Sequence, residues 1–214
     1  MLDLLKHDTL LAIAVAAAFS AGLNVYATVT TLGLLAQAGV VQLPPSLHLV
    51  ESWPIIAVSL ALFVAEFFAD KVPGFDLLWN ALQTFVRVPV AALLAYGATS
   101  NFSPGAQIAV AVMGAGIALV AHGGKTAVRA TVTPSPEPLS NTALSLGEDV
   151  VAVGLTWFAT AHPWIAASAT IALIVATIIV IRKVLRAMRR VFDGARRQWH
   201  ALVATRSSPP SPTR

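Results

Sequence analysis

The chain has 214 residues, of which 57% are hydrophobic and only 11% are charged, whereas an ordinary soluble domain has about 25% charged residues. Because so few polar groups cannot cover a water-exposed globule, the composition excludes a soluble globular protein and indicates an all-α membrane protein. The sequence contains no cysteine, which excludes disulfides, thiolate catalysis and iron–sulfur clusters.

Six apolar segments of about the length needed to cross a bilayer follow one another along the chain. We predict transmembrane helices over residues 9–38, 53–69, 76–98, 104–121, 143–161 and 164–181. Prolines mark the breaks between them, and Gly123-Gly124 is interpreted as the stop of the fourth helix. A cleaved signal peptide is the alternative for the N-terminus, but its apolar run is too long for a removable leader.

The distribution of Lys and Arg predicts that both termini are cytoplasmic. With six spans, the loops at 39–52, 99–103 and 162–163 would face outward, and none of them contains Lys or Arg. This asymmetry follows the positive-inside rule. We therefore expect a multi-pass protein of the bacterial inner (plasma) membrane.

The formal net charge of +4 comes from the end of the chain. From Arg182 onward, nine Lys and Arg residues accompany one acid, giving +8, so that residues 1–181 sum to −4. We predict a transmembrane bundle at 1–187 and a basic cytoplasmic tail at 188–214, disordered beyond Arg206. The expected partners are the bilayer and its anionic lipids. Nucleic-acid binding is not expected, and a homo-oligomer is left open.

The two halves of the chain carry a weak internal similarity. Ser20-Ala-Gly-Leu-Asn-Val-Tyr-Ala-Thr aligns with Gly114-Ala-Gly-Ile-Ala-Leu-Val-Ala-His, and residues 54–63 align with residues 149–158. Because each unit, 9–98 and 104–187, contains three spans, the second would enter the membrane from the opposite side. We predict a three-plus-three inverted repeat, an architecture that recurs in secondary transporters. Chance similarity between apolar stretches is the alternative.

Each predicted helix carries one polar face. A charge that faces lipid at a helix centre costs about 2.5 to 3.5 kcal/mol, so we expect these faces to meet inside the bundle. The candidate binding residues share a polar or charged side chain within or beside an apolar segment: Asn24, Glu66, Asp70, Asp76, Asn80, Gln83, Arg87, His122, Lys125, Glu148 and Asp149.

The predicted centre of this polar interior is Arg87, which we expect to be the counter-ion of Glu66 and Glu148. A cavity open to the cytoplasm is expected beside it, lined by Asp70, Asp76, His122 and Asp149. One alternative is a buried ion-pair network that only fixes helix register. Another places Lys71 and Lys125 at the membrane surface. The candidates for a divalent cation site, which favours oxygen ligands, are Glu66, Asp70, Glu148 and Asp149. No organic cofactor is expected.

Buried carboxylates near an Arg favour a small secondary transporter or channel for a proton, another cation or a small solute. In this hypothesis Glu66 and Glu148 bind the cation, and Arg87 holds them ionised. One alternative is an anionic solute or lipid-headgroup carrier that uses Lys125, Arg129 and Arg87. Another is a non-transporting scaffold or partner subunit. No enzymatic activity is expected, because no catalytic triad spacing and no His-Glu-x-x-His motif is present.

Five stretches of the sequence carry a resemblance to a known family. They are Gly22-Leu-Asn-Val-Tyr, Glu66-Phe-Phe-Ala-Asp-Lys-Val-Pro-Gly-Phe-Asp, Gln83-Thr-Phe-Val-Arg, His122-Gly-Gly-Lys and Ser145-Leu-Gly-Glu-Asp. On these motifs the chain resembles the bacterial domain-of-unknown-function 4126 family over about residues 10–185. The resemblance implies a six-helix integral membrane protein and implies no particular activity.

Overall fold

The computed structural model describes residues 2–69, 75–132 and 138–206. Within these ranges every regular element is a helix. The elements are α1 (Leu2–Leu23), α2 (Val25–Gln37), a short 3-10 turn (Pro45–Leu47), α3 (His48–Glu51), α4 (Trp53–Ala69), α5 (Phe75–Ala98), α6 (Pro104–Val132), α7 (Pro138–Ala161) and α8 (Pro163–Arg206).

Helix α1 is the centre of the bundle and packs against α5, α6, α7 and α8. Its second half is rich in alanine, and small side chains let neighbouring helix backbones approach closely. The closest approach is at Gly22, where an added Cβ would lie 2.6 Å from the carbonyl oxygen of Ala118 in α6. The buried alanines of α1 are Ala12, Ala14, Ala16, Ala17, Ala18 and Ala21.

Helix α6 continues through Gly123-Gly124 to Val132, so the predicted stop after His122 is wrong. The physical reason is packing between helices. A Cβ at Gly124 would overlap the side chain of Thr177 in α8. A glycine at this position therefore admits the neighbouring helix and does not end its own.

Helix α4 lies at the edge of the bundle. It packs mainly against α2 and makes few contacts with α5. Its buried residues are Ile56, Ser59 and Glu66, which are spaced as one narrow stripe along the helix. Glu66 therefore points inward from a helix whose remaining surface is largely exposed.

Three helical stretches are long and apolar enough to cross a membrane: Leu78–Ala98, Pro104–Thr131 and Pro163–His200. A bent pair, Pro45–Glu51 with Trp53–Ala69 at 59°, would make a fourth. The described chain is thus an all-helical membrane protein with three to four candidate spans, and six crossings remain a prediction. The first predicted segment is not one helix, because it is divided into α1 and α2 at Asn24.

Helix α8 is much longer than the predicted sixth segment. It has 44 residues and continues as far as Arg206. The part of the predicted basic tail from residue 188 to Arg206 is therefore helical, and residues 207–214 lie outside the described residues.

Candidate functional site

A break in the central helix organises the site. Asn24 has an extended backbone (φ −149°, ψ 103°), and its side-chain oxygen accepts a hydrogen bond from the amide of Ala27. Asparagine is a favoured residue for capping a helix in this way. The helical ladder resumes at once, because the Asn24 amide donates to Ser20 O at 2.9 Å and Asn24 O accepts from the Thr28 amide at 3.1 Å.

The end of α1 faces two cationic side chains. Arg87 Nη1 lies 3.4 Å from the carbonyl oxygen of Gly22, and Lys125 Nζ lies 3.5 Å from that of Leu23. The last carbonyls of a helix lack intrahelical donors and carry a partial negative charge. Arg87 and Lys125 therefore complement both the hydrogen-bonding need and the dipole of the broken helix.

The beginning of α2 faces a carboxylate. Asn24 Nδ2 donates to Asp149 Oδ1 at 2.8 Å, and both side chains are buried. A helix N-terminus carries a partial positive charge, which favours an anion nearby. The break at Asn24 thus has cations beside its negative end and an anion beside its positive end.

Five charged residues from four helices form a connected set, here called the charge network: Glu66 of α4, Arg87 of α5, Lys125 and Arg129 of α6, and Glu148 of α7. Glu66 Oε1 pairs with Arg87 Nη2 and lies 3.3 Å from Lys125 Nζ. Glu148 Oε2 lies 3.0 Å from Lys125 Nζ and 2.9 Å from Arg129 Nη2. Lys125 is therefore the cation that both glutamates share.

The charge network is almost entirely removed from the surface. Arg87 is fully buried, and Glu66 and Arg129 are each 1% exposed. The Glu148 side chain is the most accessible of the five at 13%. Glu66 Oε2 and Arg87 Nε have no hydrogen-bond partner among the described residues, so the network retains capacity for a further polar group.

His122 of α6 joins Arg87 to two polar residues of α5, Thr84 and Asn80. Arg87 Nη1 lies 3.0 Å from His122 Nδ1, and a guanidinium can only donate. His122 Nδ1 is therefore the acceptor, and the ring proton on Nε2 is donated to Thr84 Oγ1 at 2.8 Å. Thr84 Oγ1 donates in turn to the carbonyl oxygen of Asn80 at 3.4 Å. This arrangement requires a neutral imidazole.

Two open cavities differ in their relation to the charge network, because only the first has members of the network in its wall. One of about 390 Å³ lies between α1, α6, α7 and α8 and has Lys125 and Glu148 in its wall. The other, of about 490 Å³, lies between α2, α4 and α5, where its wall includes Ser59 and Val90. Val90 follows Arg87 by three residues, which is about one helical turn.

The profile of a family described as a domain of unknown function (DUF4126) matches residues 11–183. The chain belongs to this family. No curated protein and no solved structure matches it significantly.

The matched part of this DUF4126 protein contains the whole charge network and the break at Asn24, whereas α8 beyond residue 183 lies outside the match. The family was expected from the motifs around Glu66, Gln83 and His122, and that expectation is confirmed.

Most of the predicted site residues come together in this DUF4126 chain. The residues that meet around the break and the charge network are Asn24, Glu66, Arg87, His122, Lys125, Glu148 and Asp149. Asn80 and Gln83 are buried on α5, and Gln83 Nε2 donates to Tyr26 Oη at 3.2 Å. Asp70 and Lys71 lie outside the described residues, as does the side chain of Asp76.

Two sequence interpretations need correction. Among the described residues, Arg87 pairs with Glu66 and not with Glu148, because Glu148 pairs with Lys125 and Arg129. Lys125 does not sit at a surface but is 4% exposed. In both cases the flexible Lys125 side chain reaches between α4 and α7, which spacing along one helix does not reveal.

The carbonyl groups of Gly22 and Leu23 were not among the predicted site residues, yet both lie beside a cationic side chain of the site. A signal was present in Gly22-Leu-Asn24, because a glycine and a helix-capping asparagine stand together within an apolar run. The described residues contain no group of three or more His, Asp or Glu that could hold a metal ion. The structure therefore adds no support to the predicted divalent-cation site.

Proposed function

We propose that this protein is a small secondary transporter that exchanges a monovalent cation for protons at the charge network. The observation that carries the proposal is the position of Lys125 Nζ, which lies within 3.3 Å of Glu66 and 3.0 Å of Glu148. A lysine on a flexible stem can move toward either carboxylate. When it moves toward Glu148, Glu66 loses one counter-ion and can accept a proton or a small cation in its place.

The surroundings of the network support this exchange. One cavity has Lys125 and Glu148 in its wall, and the other approaches Arg87 to within about one helical turn along α5. A binding site beside a broken helix, with charged residues in the wall of an open cavity, suits a carrier that exposes its site to the two sides of a membrane in turn.

The proposal includes a finer architecture. Six crossings would result if α1 and α2 form one broken span, α3 and α4 form a bent one and α7 crosses with its carboxylates facing inward. Both termini would then lie in the cytoplasm, and the protein would be a multi-pass protein of the bacterial inner (plasma) membrane. An inverted repeat remains part of the proposal, with α1 and α6 as the first helices of its two units; these helices pack directly on one another at Gly22 and Ala118.

The decisive experiment is proton flux in proteoliposomes, followed with an internal pH-sensitive dye after a Na⁺ or K⁺ gradient is imposed. We expect the wild-type protein to move protons in the direction opposite to the flow of the cation. Glu66→Gln should abolish this proton flux. Glu51→Gln is the matched control, since Glu51 lies in α3 outside the charge network. Unchanged flux in Glu66→Gln, or no flux with either cation in the wild type, would refute the proposal.

One observation favours a second candidate, an anionic solute carrier. The charge network contains three cations, Arg87, Lys125 and Arg129, for two glutamates. A small anion could compete with Glu148 for Lys125 and Arg129 at the wall of the cavity. Uptake of radiolabelled phosphate that is lost in Arg129→Gln and retained in Glu66→Gln would favour this candidate over cation exchange.

A further inference from the structure

The last part of α8, from Leu185 to His200, packs against no other helix in the part of the chain that the structure describes. Thr170 is buried, and Thr177 packs against Gly124 of α6. Every residue from Leu185 to His200 is exposed. The helix therefore extends well beyond the bundle, and the tertiary contacts that stabilise its first half do not account for the residues at its end.

These exposed residues are strictly sorted around the helix. At about 100° per residue, the seven basic side chains between Arg182 and His200 fall within an arc of about 140°, and six large apolar side chains fall within an opposite arc of about 120°. The basic residues are Arg182, Lys183, Arg186, Arg189, Arg190, Arg196 and Arg197. The apolar residues are Val184, Leu185, Met188, Val191, Phe192 and Trp199.

We infer that residues 182–206 form an amphipathic helix that lies in the surface of an anionic bilayer. The apolar arc includes Val191 at 71% and Phe192 and Trp199 at 68% exposure, which is a large apolar face to leave in water. A basic face opposite Trp, Phe and Leu is typical of helices that lie in the headgroup region.

Charge complementarity identifies the occupant of this face. The segment from Arg182 to His200 carries seven basic residues and one acid, Asp193. A second copy of the helix would bring seven more cations alongside, whereas anionic headgroups attract basic residues near the membrane surface. The candidate span Pro163–His200 includes the basic segment, but residues 163–181 contain no charged side chain, and the basic residues begin at Arg182. A charge-free stretch of this length is suited to hydrocarbon, so we place the membrane surface near Arg182.

For residues 182–206 to lie in the membrane surface, α8 must change direction where it leaves the hydrocarbon, near Arg182 and Lys183. A helix that continued straight would carry Phe192 and Trp199 about 15 to 26 Å away from that point at 1.5 Å per residue. The depth of these two side chains in the bilayer therefore distinguishes a helix that lies in the surface from one that projects into water.

The test uses single spin labels, for which the cysteine-free sequence is suited. Phe192→Cys and Trp199→Cys report on the apolar arc, and Arg190→Cys and Arg197→Cys report on the opposite arc. Full-length protein is reconstituted in vesicles of phosphatidylcholine, with or without phosphatidylglycerol. Collision of each label with oxygen, which concentrates in hydrocarbon, is compared with collision with a water-soluble nickel chelate.

In vesicles that contain phosphatidylglycerol, we expect the oxygen-to-nickel ratio to be several-fold higher at positions 192 and 199 than at 190 and 197. The difference should shrink without phosphatidylglycerol or at high salt, because the attraction is screened. Equal ratios at all four positions would overturn the inference, as would dipolar broadening between copies at 192 and 199. The outcome is independent of transport, so it does not depend on the proposed function.

Discussion

Removal of Glu66 should destabilise the fold far more than removal of Lys125. Glu66 is the only carboxylate that contacts Arg87 among the described residues, so Glu66→Gln leaves a fully buried guanidinium without a charged partner. Lys125→Met instead leaves Glu66 paired with Arg87, and Glu148 paired with Arg129. Both substitutions remove the contact between Glu66 and Lys125, but only Glu66→Gln also removes the ion pair of Arg87.

Breaking a buried ion pair by deleting one partner costs about 3 to 5 kcal/mol. For a chain of 150 to 250 residues, each kcal/mol shifts the unfolding midpoint by about 2 to 4 °C, so Glu66→Gln should lower Tm by roughly 6 to 20 °C. Lys125→Met leaves each of the two glutamates with an arginine, and a loss of about 1.5 to 3 kcal/mol is expected from its hydrogen bonds to charged groups.

Thermal unfolding in one fixed detergent, followed by tryptophan fluorescence, measures the difference. The double variant Glu66→Leu/Arg87→Met should recover much of the stability lost in Glu66→Gln, because it removes both members of the pair. Equal Tm losses in Glu66→Gln and Lys125→Met would refute the reasoning, as would a double variant less stable than either single change.

Two further substitutions test the centre of the bundle. Gly22→Ala should destabilise the protein by about 1 to 3 kcal/mol through overpacking, since its Cβ would lie 2.6 Å from Ala118 O. Gly116→Ala is the control, because a Cβ at Gly116 meets nothing within 4 Å. Equal Tm values for the two variants would contradict the close packing of α1 on α6. Asn24→Asp keeps the cap but sets a second carboxylate against Asp149, so its Tm deficit should be larger at pH 8 than at pH 5, where one carboxylate can take up a proton. A pH-independent deficit would argue against that contact.

The inward direction of the charges could be predicted from the sequence because one physical cost dominates it. Glu66 and Arg87 stand within apolar segments, and no lipid-facing arrangement of them is tolerable. The same argument applies to Glu148 without naming its partner. Pairing depends on which helices are neighbours, and Lys125 of α6 contacts carboxylates of both α4 and α7.

The break at Asn24 and the continuation of α6 through Gly124 show why local signals failed in opposite directions. Asn24 stands in an apolar run that reads as one segment, yet its side chain caps a new helix. Gly124 carries a stop signal, yet the contact with Thr177 of α8 maintains the helix. At Asn24 a local cap outweighs the apolar pattern, whereas at Gly124 a contact between helices outweighs the local preference.

The pairing pattern has a consequence for biosynthesis. Glu66 and Arg87 belong to the consecutive helices α4 and α5, and Arg129 and Glu148 belong to the consecutive helices α6 and α7. Each hairpin can therefore neutralise its own charges before it leaves the translocon, which lowers the cost of partitioning into lipid. The contacts of Lys125 with Glu66 and of His122 with Arg87 join the two hairpins and must wait until both have been synthesised.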